Sequence, residues 1–383
     1  MYKLISLKNV DNINVLSNIN NYNDPEKIYI PAKYINKKLK QNEVIYKNTF
    51  FNDYIVSISG LISNVEKVNY QNKLCSCLVI TNNYKENVLE KSKQNKINCK
   101  EDLINLLSKF KLNKLSEKIN NIENVEKLVI SSIDDEYYSA KEFVRLLNSY
   151  DKILEIMDLL INIFNLKIGL LVTKNTNYKS IKNVKSIIGT YPNIKISLIP
   201  DKYLIGNKEF LCKYLNFKEN NTLIISTNEI YDIYRILNGK FINETLITIS
   251  GNAIKESIVV NTKLGVSLKE LLNKFIKYNT DDYDIYINGF MKGYLLNKEE
   301  DLIIDRSIEY IVINKKLKLE ENACINCGAC NKVCPHNINV KRCFEKKLSH
   351  KKCLGCGLCN YICPSNIKLK EIVKSGLDEK DSK

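Results

Sequence analysis

Between residues 27 and 82 apolar and polar positions alternate in short runs, KIYIPA, EVIY, YIVSISGLISNVEKV and CLVIT, with turn residues between them. A period of two with this punctuation predicts strands that bury one face, and hence a small β-domain. The segment VSISGLISNVEKV resembles the second half of a lipoyl-like barrel-sandwich domain. It lacks the lysine motif of a carrier arm, which favours a structural role. Cys75 and Cys77 lie two apart on one such run and so point to the same side. They read as packed thiols rather than a redox pair. Residues 83–125, rich in Lys, Asn and Glu, read as a linker followed by a helical stretch from Glu101 to Ile119.

The pattern changes after residue 126. KLVISS, IGLLVT, IKISLIP and TLIIST are apolar runs of strand length, each followed by helical periodicity. Ser139-Ala-Lys-Glu142 has the spacing of a capping box, and Phe143, Leu146, Leu147, Tyr150, Ile153 and Leu154 follow at helical intervals. Repeated βα units predict a largely parallel sheet covered by helices. Such sheets take ligands at the carboxyl ends of their strands. Directly after KLVISS come Ile133-Asp134-Asp135-Glu136. Two readings stand side by side there: carboxylates that hold a ligand or a cation, or a solvated acidic turn. Residues 239–275 read as strand, Ser-Gly turn, strand and helix, which suits a small β-grasp module with a structural or docking role.

Composition narrows the class. The chain has 383 residues, 44% hydrophobic and 26% charged, which excludes a disordered or collagen-like protein and suits several domains. The most apolar stretch, 153–172, contains Glu155, Asp158 and Lys167, so no transmembrane helix is predicted. The start, MYKLISLKNVDNIN, lacks the pattern of a secretory signal. The net charge of +15 first suggests nucleic acid, yet 54 of the 58 basic residues are Lys and only four are Arg. Nucleic-acid surfaces favour the arginine fork. A solvated Lys-rich surface is the better reading, and no nucleic-acid partner is expected.

Of 13 cysteines, nine fall between Cys324 and Cys363. Residues 324–335 read CINCGACNKVCP and residues 353–364 read CLGCGLCNYICP. Each is C-x2-C-x2-C-x3-C-P, the bacterial ferredoxin spacing, in which the fourth Cys ligates the other cluster. This assigns Cys324, Cys327, Cys330 and Cys363 to one 4Fe–4S cluster, and Cys353, Cys356, Cys359 and Cys334 to a second. Structural zinc sites instead show CxxC pairs separated by a longer gap. Cys343 has no slot in either motif and reads as a spare thiol. His336 and His350 read as bystanders. Eight thiolate ligands leave no open iron position, so the expected work is single-electron transfer.

These pieces, in this order, resemble the RnfC-like family, a component of the Rnf ion-translocating electron-transport complex, over most of residues 27–375. KIYIPAKYI, KQNEVIYKN and VSISGLISNVEKV are similar to the family's first domain. DKYLIGNKEFL (201–211) is similar to its Tyr- and Gly-containing stretch after a strand, and TLIISTNEIYDIYRILNGKFINETLITISGNAIKE to the junction into its β-grasp domain. INGFMKG (287–293) resembles a GGPMMG turn, with Asn288 and Lys292 as departures. The resemblance implies a multidomain α/β chain. Its parts are an N-terminal segment (1–26), a barrel-sandwich domain (27–85), a linker and helix (86–125) and a Rossmann-like domain related to flavin- and NADH-binding subunits (126–235). A β-grasp soluble-ligand-binding domain (236–295), a connector (296–319), a two-cluster ferredoxin-type domain (320–375) and a tail (376–383) follow.

The resemblance also implies an FMN and NADH site, with Asp134 and Glu136 at the positions of the family's acidic motif. The family's Gly-rich loop before KLVISS lets backbone amides approach a phosphate. Here that segment is LINLLSKFKLNKLSEKINNIENVE, without Gly, which argues that the flavin and NADH site is degraded or lost. The function implied is an electron-transfer subunit, cytoplasmic or peripheral on the cytoplasmic side of the membrane, with other members of the complex as partners. The alternatives are a soluble electron-transfer partner of a fermentative reductase of the proline-reductase-associated type, or a scaffold that keeps clusters for structure. From Glu320 onward 12 Lys and Arg face 7 Asp and Glu, a surplus that suits an acidic ferredoxin-like carrier.

Overall fold

The computed structural model describes residues 17–35, 39–85, 94–134, 136–297, 300–316 and 320–374. The tail (376–383) and most of the N-terminal segment (1–26) lie outside the described residues. Among the described residues the fold is mixed α/β with several sheets. The described chain opens with β1 (Ile19–Tyr22) and β2 (Lys27–Pro31). Short strands β3 (Val44–Ile45), β4 (Phe50–Phe51) and β5 (Tyr54–Ile55) precede the long β6 (Gly60–Tyr70) and β7 (Lys73–Asn82). An antiparallel sheet runs in the order β2-β7-β6-β3. Gln71 and Asn72, with φ of 52° and 61°, make the two-residue turn that joins β6 to β7. Cys75 and Cys77 do share a face of β7, with Sγ atoms 3.6 Å apart. Burial pushes the Cys77 thiol up.

Where one helical stretch was expected, two helices form: α1 (Lys100–Lys109) and α2 (Asn113–Asn120). The chain breaks between them at Lys111, whose φ of 60° no helix accommodates. Next come β8 (Lys127–Ser131), α3 (Lys141–Ile163), β9 (Gly169–Lys174), α4 (Lys182–Ile187), β10 (Ile194–Ile199), α5 (Lys208–Tyr214), β11 (Thr222–Ser226) and α6 (Thr227–Leu237). The four strands are all parallel, in the order β10-β9-β8-β11. Ser131 and Ser226 stand side by side at the carboxyl ends of β8 and β11. Leu128, Ile130 and Ile225 of the sheet pack on Leu146, Ile153 and Leu154 of α3 and on Ile230 and Ile233 of α6.

The capping box lies elsewhere than the Ser139–Glu142 spacing suggested. Ala140 stands at the N-cap of α3 and has no side-chain atom to cap it, while the Ser139 hydroxyl, one residue earlier, donates to the Asp134 carboxylate at 2.7 Å. The reciprocal box forms at α6, between Ser226 and Glu229.

The third layer comprises β12 (Glu244–Ser250), β13 (Ile258–Lys263), α7 (Leu268–Phe275), β14 (Tyr283–Ile287), β15 (Tyr294–Leu296) and β16 (Tyr310–Lys315). Its sheet has six strands in the order β1-β13-β12-β16-β14-β15. It is therefore wider than residues 236–295: β1 and β16 come from the flanking segments. Its core is continuous with that of the first sheet, since Ile28, Ile30 and Phe51 pack with Ile247, Leu271 and Ile311. The chain then enters the cysteine region, with α8 (Ala329–Val333), α9 (Val340–Glu345), α10 (Leu358–Ile362) and α11 (Leu369–Lys374). Among the described residues no helix is long and apolar enough to cross a membrane.

We expect Ser226→Ala to cost about 1 kcal/mol, the usual loss when an N-cap is removed, read as a lower midpoint of chemical unfolding by circular dichroism. An unchanged midpoint would contradict the box.

Candidate metal centre and neighbouring cavity

The two cysteine motifs wrap in the same way. Asn326 and Gly328 have φ of 60° and 67°, and Gly355 and Gly357 have φ of 61° and 74°. These left-handed positions curl each loop so that its first three thiols face inward. Gly328 and Gly357 then start α8 and α10, which carry Cys330 and Cys359. Cys334 and Cys363 end those helices in extended backbone.

Two cavities result. Cys324, Cys327, Cys330 and Cys363 line one, with Ile325, Phe344, Ile367 and Leu369. Cys334, Cys353, Cys356 and Cys359 line the other, with Ile338, Val340, Leu354 and Leu358. Each cavity thus draws three thiols from one motif and the fourth from the other. Cys343 is buried among Ile338, Val340, Ile367, Leu369 and Val373 and lines neither.

Burial pushes up the thiols of Cys330, Cys353 and Cys356. It pushes Cys359 up to about 12, with the nearby Cys356 adding to the effect. Such thiols ionise when a metal supplies compensating positive charge. Backbone N–H groups already approach two sulfurs, Ile338 to Cys334 at 3.4 Å and Gly355 to Cys353 at 3.5 Å. Among the described residues no three His, Cys, Asp or Glu side chains converge on one ion position; the thiols surround a cavity instead of a point. Four thiols around each cavity fit a 4Fe–4S cluster, which is held by four cysteine thiolates.

The second cavity faces the rest of the chain. Gly357 packs so closely on the 287–293 loop that a Cβ there would lie 2.3 Å from the Met291 carbonyl oxygen. Tyr203 donates its hydroxyl to the Cys356 carbonyl at 2.7 Å. Lys370 Nζ donates to the carbonyls of Met291 and Gly293 at 3.2 and 3.0 Å. His336 bridges Lys352 O and Glu209 of α5, and His350 Nδ1 accepts from the Lys352 N–H. Both imidazoles are occupied in holding loops. The first cavity faces outward: Cys324 and Cys327 are exposed.

Asp134 and Glu136 are not a solvated turn, nor are they brought together; Asp135 lies outside the described residues. Glu136 is buried, and its carboxylate accepts from the N–H groups of Tyr137, Met291 and Lys292 at 3.1, 3.4 and 3.1 Å. Gly289, with φ of 98°, sits against that side chain, and a Cβ would lie 2.2 Å from its Cγ and 2.4 Å from its carboxyl carbon. Asp134 keeps some exposed surface, but its carboxylate turns the other way, to the Ser139 hydroxyl and the Glu142 N–H. Burial raises both carboxyls, Asp134 to about 7, with Glu142 as its second cause.

A larger cavity of about 390 Å³ opens at the carboxyl ends of β8 and β11. Sequence reasoning missed its residues, although Ser226-Thr-Asn-Glu229 was a visible capping signal at its edge. Its charges are largely paired. Lys118 binds Glu229 at 2.7 Å, Arg235 binds Glu244 at 2.6 Å, Lys141 binds Glu309 at 2.8 Å, and Arg306 pairs with Asp232. At the N-terminus of α6 the Glu142 carboxylate accepts from the Thr227 hydroxyl at 2.8 Å and the Asn228 N–H at 2.9 Å. That is where a phosphate would sit in an open α/β sheet. In the segment that corresponds to the Gly-rich loop stand α1 and α2, whose amides are committed to helical bonds, and the chain has no Gly between Gly60 and Gly169. The residues present do not fit a flavin or dinucleotide phosphate.

Residues 323–367 match the 4Fe-4S dicluster domain family. A curated relative, the C component of the ion-translocating oxidoreductase complex of Buchnera aphidicola subsp. Acyrthosiphon pisum (strain APS), is 26% identical over 233 residues, 57% of this chain and 49% of that protein. The component of the same name from Pectobacterium atrosepticum is 24% identical over 227 residues, 56% of this chain and 33% of that protein. The chain is similar to the RnfC components of ion-translocating oxidoreductase complexes. The resemblance read from the motifs is thereby borne out. The chain spans between a third and a half of the length of these curated relatives. Among solved structures, an NAD+-reducing NiFe-hydrogenase in the air-oxidized state is 12% identical, covering 72% of this chain and 53% of its own, with a TM-score of 0.48.

The raised Asp134 carboxyl makes stability depend on pH. Between the ordinary aspartate value of about 4 and about 7 the folded chain holds a proton that the unfolded chain has released, so stability falls as pH rises through that window. Asp134→Asn keeps an oxygen for Ser139 and the Glu142 N–H while removing the titration. We expect it to raise the melting temperature at pH 8 more than at pH 5; an equal effect at both would contradict the assignment.

Proposed function

We propose that this chain is an iron–sulfur electron-transfer subunit of an ion-translocating oxidoreductase complex. In this reading Cys324, Cys327, Cys330 and Cys363 hold one 4Fe–4S cluster, and Cys334, Cys353, Cys356 and Cys359 hold a second. The observation that carries the reading is the exchange of the fourth thiol, which gives each cavity a complete set of four. A bound 4Fe–4S cluster supplies reversible one-electron chemistry. With every thiol engaged, neither set keeps a ligand position for a substrate.

The residues around the thiols do the positioning. Ile338, Val340 and Val373 exclude water from the inner set, while Cys324 and Cys327 bring the outer set to the surface. Beside them Ile325, Tyr361 and Ile362 are exposed, and Lys332, Arg342, Lys346, Lys347 and Lys368 are cations of the same region. An apolar patch with a basic surround suits a transient acidic electron carrier of the ferredoxin type. The other partners are further members of such a complex, on the cytoplasmic side of the membrane. In the same reading residues 27–85 are a barrel-sandwich domain, 126–235 a Rossmann-like domain whose flavin and NADH site is lost, and 236–295 a β-grasp domain.

Anaerobic purification should yield about eight iron atoms and as many sulfides per chain. Cys330→Ala should retain about half of that iron, and Cys343→Ser all of it. Zinc in place of iron, or iron unmoved by Cys330→Ala, would contradict the ligand sets. In stopped-flow reduction by an acidic ferredoxin, the second-order rate should fall steeply as salt rises. A rate independent of salt would remove the basic docking face.

A further inference from the structure

The two cysteine motifs correspond residue for residue, Cys324 to Cys353 and Cys334 to Cys363, and the correspondence continues into the helices behind them. The Asn331 side chain accepts from the Lys341 N–H at 2.9 Å, and its counterpart Asn360 accepts from the Lys370 N–H at 2.6 Å. Lys341 lines the first cavity and Lys370 the second. One helical turn later the match breaks in sign, for Glu345 of α9 corresponds to Lys374 of α11. We infer that this charge reversal separates the reduction potentials of the two sites: Lys374 makes the inner one easier to reduce, and Glu345 makes the outer one harder. The inference deepens the cluster reading of the cysteines and rests on it.

Lys374 lies directly on the inner loop. A Cβ built on Gly355, between Cys353 and Cys356, would meet Lys374 Cδ at 2.9 Å, Cε at 3.2 Å and Nζ at 3.6 Å, and these are its three nearest neighbours. Gly355, with φ of 61°, leaves that space to the lysine stem. Among the described residues Lys374 has no carboxylate partner. Burial pushes the Cys353 thiol up, and the Gly355 N–H and the Lys374 charge act against that rise. At the outer site Glu345 pairs with Lys341 at 3.5 Å and so offsets the lysine that lines that cavity. The neighbouring positions differ in the opposite sense, Arg342 against Glu371, but Glu371 is engaged with Asn360 at 3.0 Å and stands 3.8 Å from Lys370, which offsets it. Reduction adds one negative charge to a bound cluster. A nearby cation lowers the cost of that charge, and a nearby anion raises it.

The test is an equilibrium redox titration of the full, iron-loaded chain at low salt, followed by electron paramagnetic resonance, once iron and sulfide have been counted. Lys374→Met, which keeps an apolar stem over Gly355, should shift one of the two couples about threefold toward the oxidised form and leave the other in place. Lys374→Glu doubles the change in charge and should shift that couple about tenfold, about 59 mV for one electron. Glu345→Gln should move the other couple about threefold toward the reduced form. Each shift should shrink as salt rises, since exposed charges are screened, whereas a damaged loop would not respond to salt. The parent's iron content with potentials unmoved by Lys374→Glu, both couples moving together, or shifts indifferent to salt would each overturn the inference and leave the ligand sets standing. A chain without iron would instead overturn the ligand sets, and the inference with them.

Discussion

One buried carboxylate joins the three parts of this chain. Glu136, at the turn after the central parallel strand, accepts from two backbone N–H groups of the 287–293 loop as well as from that of Tyr137. On the same loop, carbonyl oxygens accept from Lys370, which stands in the last described helix of the cysteine region. Carboxyl group, backbone loop and cation thus stack in series. Hydrogen bonds of this kind contribute on the order of 1 kcal/mol each, and a buried acceptor left without its donor costs about 1–3 kcal/mol. Gly289 has to be Gly because the carboxylate takes the space a Cβ would need. The position of the inner thiol set relative to the sheets follows from this joint, aided by the apolar seam of Tyr203, Phe210, Met291 and Leu358.

The joint also gives the cysteine region two unlike ends. One set of four thiols lies against the body of the chain, desolvated and with its loops tied by Tyr203 and His336. The other opens to solvent through Cys324 and Cys327. The large cavity stands apart from both, at the carboxyl ends of the parallel strands, where its charges are matched to one another rather than to a phosphate.

How much of this was legible in the sequence depends on the range of the interaction. The thiol sets were legible because each motif is a local wrap in which spacing dictates direction, and the exchanged fourth cysteine is part of the same spacing rule. The parallel strands were legible for a similar reason, since LVI of KLVISS and LII of TLIIST are unbroken apolar runs bounded by polar residues, as in a strand buried on both faces. Pairings between distant segments leave no periodic trace. β1 joins β13 across more than two hundred residues, with Ile19 beside Val259. The roles of Asp134 and Glu136 were hidden as well. An acidic run looks solvated until the groups that enclose it, Ser139 on one side and Met291 on the other, are brought in from elsewhere. Ser139 had the spacing of a cap but was claimed by a carboxylate, while Ser226 performs the capping.

The central claim is that two complete sets of four thiols each hold a cluster within one small region. Electron paramagnetic resonance of the anaerobic, dithionite-reduced chain tests it most directly. Two neighbouring reduced 4Fe–4S clusters should give about two unpaired spins per chain, with lines split by their mutual coupling. A single uncoupled spin, or no signal from a folded chain that contains zinc, would contradict it.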